Sequence, residues 1–279
     1  MVQHVFADAP PAKGTLRIGA TPSINTGGGE KKEKLAAELL EKFIREETRM
    51  NNEISTLKDW RELAEKLAKG NLDLGVFQGY EFVWARDEHA GIKPLMLAVN
   101  VHRYAVVHVV VGKDCAAMQF ADLKNQPLTL SSNSIGSVRK FVERKSSAHG
   151  DSPDQFFARI AVPATVEEAL DDVAAGNAIA TVVENAALEA YRRRKPGRAA
   201  KLRILESTDA VLPGIIAYGE GKLDRTALKQ FRDGLVGAHA KERGKTLLTL
   251  FRLTGFDLPP DDFEKAVEST RKVFPPDKD

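Results

Sequence analysis

LAEKLAKGNLDLGV at residues 63–76 and LDDVAAGNAIATVV at residues 170–183 carry one pattern twice. Each starts as a helix with an apolar stripe, stops at a glycine, passes an asparagine and enters an apolar run of strand length. The glycines are Gly70 and Gly176, and the asparagines are Asn71 and Asn177. One such unit in each half of the chain predicts two similar α/β lobes.

On the N-terminal side of the first unit, residues 15–20 alternate as a short strand and run into a loop at 21–29, rich in glycine with one proline. A helix follows, with Leu35, Leu39, Leu40, Phe43 and Ile44 on its apolar stripe, then a strand near 53–57. Beyond the first unit, a helix passes through Glu81, Phe82, Trp84 and Ala85. This β-α-β-α-β-α order predicts parallel strand pairs covered by helices. The apolar stretch 95–112 is too long for one strand and reads as two, the second passing between lobes. A helical turn at 120–124, a strand at 128–130, a polar loop at 131–137, a helix through Val138, Phe141 and Val142 and a linker at 146–153 lead to the second unit. After it come a helix through Leu188 and Tyr191, strands at 202–205 and 214–218, two further helices and an exposed tail rich in Pro and Asp. The strand at 214–218 is expected to return to the first lobe.

The predicted fold is therefore α/β, with two similar three-layer lobes joined by two crossing strands. Residues 14–102 with 210–279 make the discontinuous first lobe, and 103–209 make the second. Residues 1–13 show no period and read as an unstructured segment, with small residues before Asp8 that suit the stump of an export signal.

The chain has 279 residues, 43% of them hydrophobic, enough for a core that needs no staples. Its 41 basic and 39 acidic residues are well mixed, which argues against a nucleic-acid partner. Arg192, Arg193, Arg194, Lys195 and Arg198 form a basic cluster that reads as a solvated helix end, with docking against an anionic surface or partner as the alternative. No apolar run approaches the length of a membrane span. The single Cys115 decides no compartment.

Open α/β sheets bind ligands beyond the C-terminal ends of their strands. Polar residues at those ends are the candidate contacts. Thr21 and Ser23 follow the first strand. Gln78, Tyr80 and Glu81 follow the third, with Tyr80 as a hydroxyl donor and Glu81 as partner for an amine, while Phe82 and Trp84 read as core. Ser131, Ser132, Asn133 and Ser134 precede a helix, where hydroxyls and free N–H groups suit a phosphate, phosphonate or carboxylate. The same residues also make an ordinary helix cap. His102 and Tyr104 lie near the expected hinge. Glu184 and Asn185 end the strand of the second unit, Glu184 as counterion or acceptor. His102 and His108 share a face if their strand is regular, yet lack the neighbours a metal needs, so no metal is expected. The loop at 21–29 lacks the phosphate-loop pattern of a nucleotide site. No nucleophile elbow is present, and neither catalysis nor a cofactor is expected.

Leu16-Arg17-Ile18-Gly19-Ala20-Thr21-Pro22, Leu72-Asp73-Leu74-Gly75-Val76-Phe77 and Phe120-Ala121-Asp122-Leu123-Lys124 are followed by Ser131 to Gly136 and by 205–213. Their order resembles the phosphonate/phosphite-type (PhnD-like) substrate-binding proteins of ABC transporters, a branch of the type II periplasmic-binding fold. The likeness runs over about 14–274. It departs from the family's Ser-Thr-Ser-Gly loop at Ser132-Asn133-Ser134-Ile135-Gly136, and Glu184 stands where an Asp is expected. The resemblance implies hinge closure on a small anionic solute in the periplasm and delivery to a membrane permease, and a monomer is expected. Three alternatives stay open: a carrier of an apolar ligand such as a lipid or sterol, a cofactor-biosynthesis enzyme on the same fold, and a free-standing sensor.

Overall fold

The computed structural model describes residues 14–24 and 30–276. The segment 1–13, the glycine loop 25–29 and residues 277–279 lie outside the described residues. Strands β1 (Thr15–Ala20), β2 (Asn51–Thr56), β3 (Leu74–Phe77), β4 (Ile92–Val99), β5 (Val107–Gly112), β6 (Pro127–Thr129), β7 (Arg159–Ala161), β8 (Ala180–Glu184), β9 (Leu202–Ser207), β10 (Gly214–Gly219) and β11 (Gly255–Asp257) build two sheets. Helices α1 (Glu30–Thr48), α2 (Trp60–Lys69), α3 (Gly79–Glu88), α4 (Gly136–Ser147), α5 (Pro153–Phe156), α6 (Val166–Ala175), α7 (Asn185–Arg194), α8 (Pro196–Ala199), α9 (Arg225–Val236), α10 (Glu242–Phe251) and α11 (Phe263–Val273) surround them.

The two repeated units close their helices in the same way. Gly70 and Gly176 adopt left-handed backbone at φ 79° and 80°. The Gly70 N–H donates to Leu67 O and the Asn71 N–H to Lys66 O; Gly176 and Asn177 repeat this on Val173 and Asp172. These pairs satisfy carbonyls the helix end would leave open, and a Cβ at either glycine would be strained.

The sheets share a strand order. The first runs β11-β4-β10-β3-β1-β2 and the second β7-β6-β8-β5-β9. In the first, β10 lies antiparallel between β3 and β4. In the second, β5 lies antiparallel between β8 and β9. Each sheet is thus completed by a strand whose chain has just left the other sheet. The first sheet packs α1, α9 and α10 on one face, around Ile18, Phe43 and Leu247. Its other face packs α2, α3 and α11, around Leu67, Phe82 and Val267. In the second sheet, Phe120, Val138 and Phe141 fill the α4 side, and Leu170, Val183 and Tyr191 fill the α6–α7 side. Burial of these apolar layers is the main drive for each lobe.

The structure corrects four sequence expectations. The crossing out of the first sheet is the irregular segment 100–106, and β5 lies wholly within the second sheet. The run Asn100 to Tyr104 breaks the strand there, so the regular strand on which His102 and His108 would share a face does not form. Leu35 is 51% exposed, because at about 100° per residue it points opposite Ile44, nine positions on. Residues 263–274 are no tail. Phe263, Ala266, Val267, Thr270 and Phe274 are buried, and Phe274 O accepts the Trp84 indole N–H at 2.8 Å. Finally, the linker is shorter than expected, because α4 runs to Ser147. The basic cluster is partly neutralised by α6, where Glu167 and Asp171 pair with Arg194, Lys195 and Arg198.

The two crossings are tied to each other. Ala105 N–H donates to Val211 O at 3.0 Å and Val211 N–H to Ala105 O at 2.8 Å. Val107 and Thr208 extend the link, the Val107 N–H reaching the Thr208 hydroxyl at 3.0 Å. Val101, just after β4, is held at φ 60°, a backbone region that β-branched residues rarely adopt.

Candidate functional site in the interlobe cleft

Three helices begin where a strand ends and present their N-termini to the space between the sheets: α3 after β3, α4 after β6 and α7 after β8. Such ends carry unpaired N–H groups and partial positive charge. α4 opens at Ile135 with no side-chain cap, and Gly136 and Ser137 line the cleft. The cavity there has a volume of about 460 Å³.

Eight residues singled out from the sequence line this cavity. Ser23, Gln78, His102 and Tyr104 come from the first lobe and its crossing. Asn133, Ser134, Glu184 and Asn185 come from the second. The chain of Asn100 adds an amide, whose N–H donates to Glu184 at 2.9 Å. Burial pushes the Glu184 carboxyl above its ordinary range, against the pull of Asn100, Arg252 and His102. Two of the eight are held by carboxylates outside the cavity lining. His102 meets Glu189 at 2.9 Å, and the Tyr104 hydroxyl donates to Asp262 at 2.8 Å. Burial, then that carboxylate, raises the tyrosine pKa.

Thr21, Tyr80, Glu81, Ser131 and Ser132 do not line the cavity, and all of them but Ser132 are buried. Glu81 is a buried brace. Its carboxylate accepts the Gln78 N–H at 3.0 Å and the Thr21 hydroxyl at 2.9 Å, fixing the start of α3 to the end of β1. Burial raises its pKa, opposed by these same hydrogen bonds. Thr21 also touches Ser23 at 2.6 Å, and the Gln78 amide donates to Ser23 O at 2.8 Å. The Tyr80 ring packs against Trp84 and Phe274, with centroids 4.9 and 5.3 Å away. Ser131 Oγ accepts the Asn133 N–H at 3.1 Å, and Arg139 folds back onto the carbonyls of Ser132 and Ser134. Much of the polar loop's capacity is spent on holding its own shape.

The lobes touch across the cleft. Arg252, which ends α10 in left-handed backbone at φ 55°, donates to Asn133 O at 2.7 Å. The Gln78 side chain lies so close to α4 that a Cβ on Gly136 would fall 2.7 Å from it. The Lys140 ammonium of α4 stands 5.5 Å from the Trp84 ring centroid. These contacts join the two lobes across the cleft.

Arg252, Lys34 and Asn100 line the site and escaped the sequence reading. For Arg252 a signal existed: it is a lone cation inside the apolar run 247–253. The cavity also continues past the polar residues into the first lobe, between Ile18, Val76 and Ile216 of the sheet and Leu40, Leu235 and Phe251 of the helices.

The family model for the periplasmic phosphonate substrate-binding protein of ABC transporters matches residues 30–262. No curated protein sequence matches significantly. Among solved structures, XAC2383 from Xanthomonas citri bound to ATP is 16% identical at TM-score 0.59, covering 93% of this chain and 98% of that one. PhnD1 from Prochlorococcus marinus in complex with methylphosphonate is 16% identical at TM-score 0.58, covering 92% and 97%. A binding protein component of an ABC phosphonate transporter (PA3383) from Pseudomonas aeruginosa is 13% identical at TM-score 0.55, covering 93% and 87%. At these identities the likeness shows the fold, that of two α/β lobes of the type II periplasmic-binding class. The match over 30–262 shows the family: the chain belongs to the periplasmic substrate-binding proteins of phosphonate ABC transporters.

Proposed function

We propose that the protein binds an anionic solute, phosphonate- or phosphate-ester-like at its charged end, by closing two lobes over it, and passes it unchanged to a membrane permease. Residues 14–102 with 210–276 move as one lobe and 103–209 as the other, about the paired crossings. Family membership supports a solute and a permease as partners, and the periplasm as the place. Among the described residues no helix is long and apolar enough to cross a membrane.

The observation that carries this reading is a cavity lined by both lobes, with the uncapped start of α4 and the cation of Arg252 at one place. Free N–H groups and a guanidinium favour an anion there. Closure follows if the solute binds the closed form more tightly than the open one. The contacts reside in Ser23, Gln78, Asn133, Ser134, Asn185 and Arg252, while Thr21 and Glu81 position them. Family membership supports binding without chemistry on the solute, and the monomer is the working unit.

Small-angle scattering tests the mechanism, using protein stripped by unfolding and refolding. The radius of gyration is expected to fall when the solute recovered from host-purified protein is returned, and the same solute is expected back intact after incubation. An unchanged radius, or a chemically altered solute, overturns the proposal.

A further inference from the structure

The layer between the first sheet and α1, α9 and α10 is where a packed core is expected, and the cavity runs through it. Ile18, Val76 and Ile216 form the floor; Leu40, Leu235 and Phe251 form the roof. Protein interiors fill to the density of organic crystals, and a void forfeits contacts along all its walls. An apolar void that opens into a ligand cleft is space for the apolar part of a ligand.

At the mouth the lining changes character. Lys34 and Arg252 bring cations, Gln78 and Ser134 bring hydrogen-bonding groups, and α4 brings its uncapped start. The sequence Phe251-Arg252-Leu253 spans the boundary. Phe251 and Leu253 line the apolar chamber, and between them Arg252 turns to the second lobe through left-handed backbone. The volume of about 460 Å³ falls in the roughly 300–1,000 Å³ range of drug-sized ligand sites. A small phosphonate would leave most of it empty.

Resting on the capture reading above, we propose that the solute is an anionic amphiphile. Its head group sits between the lobes at Arg252 and the start of α4. Its aliphatic or alicyclic tail lies in the chamber under α1, α9 and α10.

Calorimetry with ethyl-, butyl-, hexyl- and octylphosphonic acid, and with the carboxylic acids of matching chain length, tests this on the stripped protein. Within a series, affinity is expected to tighten roughly fourfold per methylene until the chamber is full. The heat-capacity change of binding should grow more negative in step. Ala37→Phe, which puts a ring into the chamber from α1, should weaken the octyl compound at least tenfold and flatten the chain-length dependence. The series on the unaltered protein stands whether or not that variant folds. Affinity independent of chain length, or falling with it, overturns the amphiphile and leaves capture of a small polar solute standing. Binding by no member of either series overturns it too, and the scattering measurement with host-derived solute then decides separately whether capture survives.

Discussion

Arg252 of the first lobe donates a hydrogen bond to the backbone carbonyl of Asn133 in the second, at 2.7 Å, from a residue held at φ 55°. The link joins the end of α10 to the loop before α4, across the opening of the cavity. Its backbone is of the kind glycine adopts without cost, so the side chain is retained there against a conformational penalty.

Arg252→Gly separates these two effects. The backbone strain is relieved, and this roughly offsets glycine's added chain entropy and the lost hydrogen bond to Asn133, so stability should change by no more than about 1 kcal/mol. Solute affinity should nevertheless fall about tenfold or more, through loss of a charged hydrogen-bonding group. Urea denaturation and calorimetry on the same preparation check both halves.

Gly79 lies against the second crossing. A Cβ there would overlap the carbonyl of Leu212, which is backbone and cannot swing away. Gly79→Ala should cost about 1–3 kcal/mol or more, as overpacking does. It should also shift the start of α3 relative to the hinge. A denaturation midpoint equal to the parent's would refute the close approach.

Glu184 gives a pH signature. Burial raises its folded pKa above the unfolded value, so the folded state takes up the proton first as pH falls. Its contribution to stability is therefore fully present below the unfolded carboxylate pKa and is lost as pH rises through the folded pKa. Glu184→Gln keeps an acceptor for Asn100 and removes the buried charge. The variant should be more stable than the parent at neutral pH, with the gap closing in acid. Thermal melts of both proteins across that range, compared at each pH, provide the check.

Phe274 is 1% exposed and packs on Tyr80, while its carbonyl holds Trp84. Phe274→Ala should cost about 3–5 kcal/mol, as expected for a buried aromatic and not for a tail residue. Loss of under 1 kcal/mol in urea denaturation would contradict the packing of α11 on α3.

Local chemistry made much of the fold legible. Glycine after a helix, an apolar run after glycine, and a polar loop before the next stripe are rules of neighbouring residues, and they placed most of the elements. The helix at 263–273 was equally regular, with Phe263, Ala266, Val267 and Thr270 at helical spacing. Pro259-Pro260 before it and Pro275-Pro276 after it masked the pattern as tail. The candidate site was legible only as strand ends. Whether Tyr80 faces a ligand or Trp84 depends on where residue 274 returns, some 190 positions along the chain.

The sequence by itself determined two α/β lobes, their repeated helix–glycine–strand units, and the strand ends from which a site is built. These follow from side-chain period and backbone preference, which act over a few residues. Only the tertiary structure decided which of those polar residues line the cleft and which brace it. It alone brought Arg252 to Asn133 and let the cavity reach into the apolar layer under α1. Contacts between distant segments depend on how whole layers pack, and no local pattern encodes that.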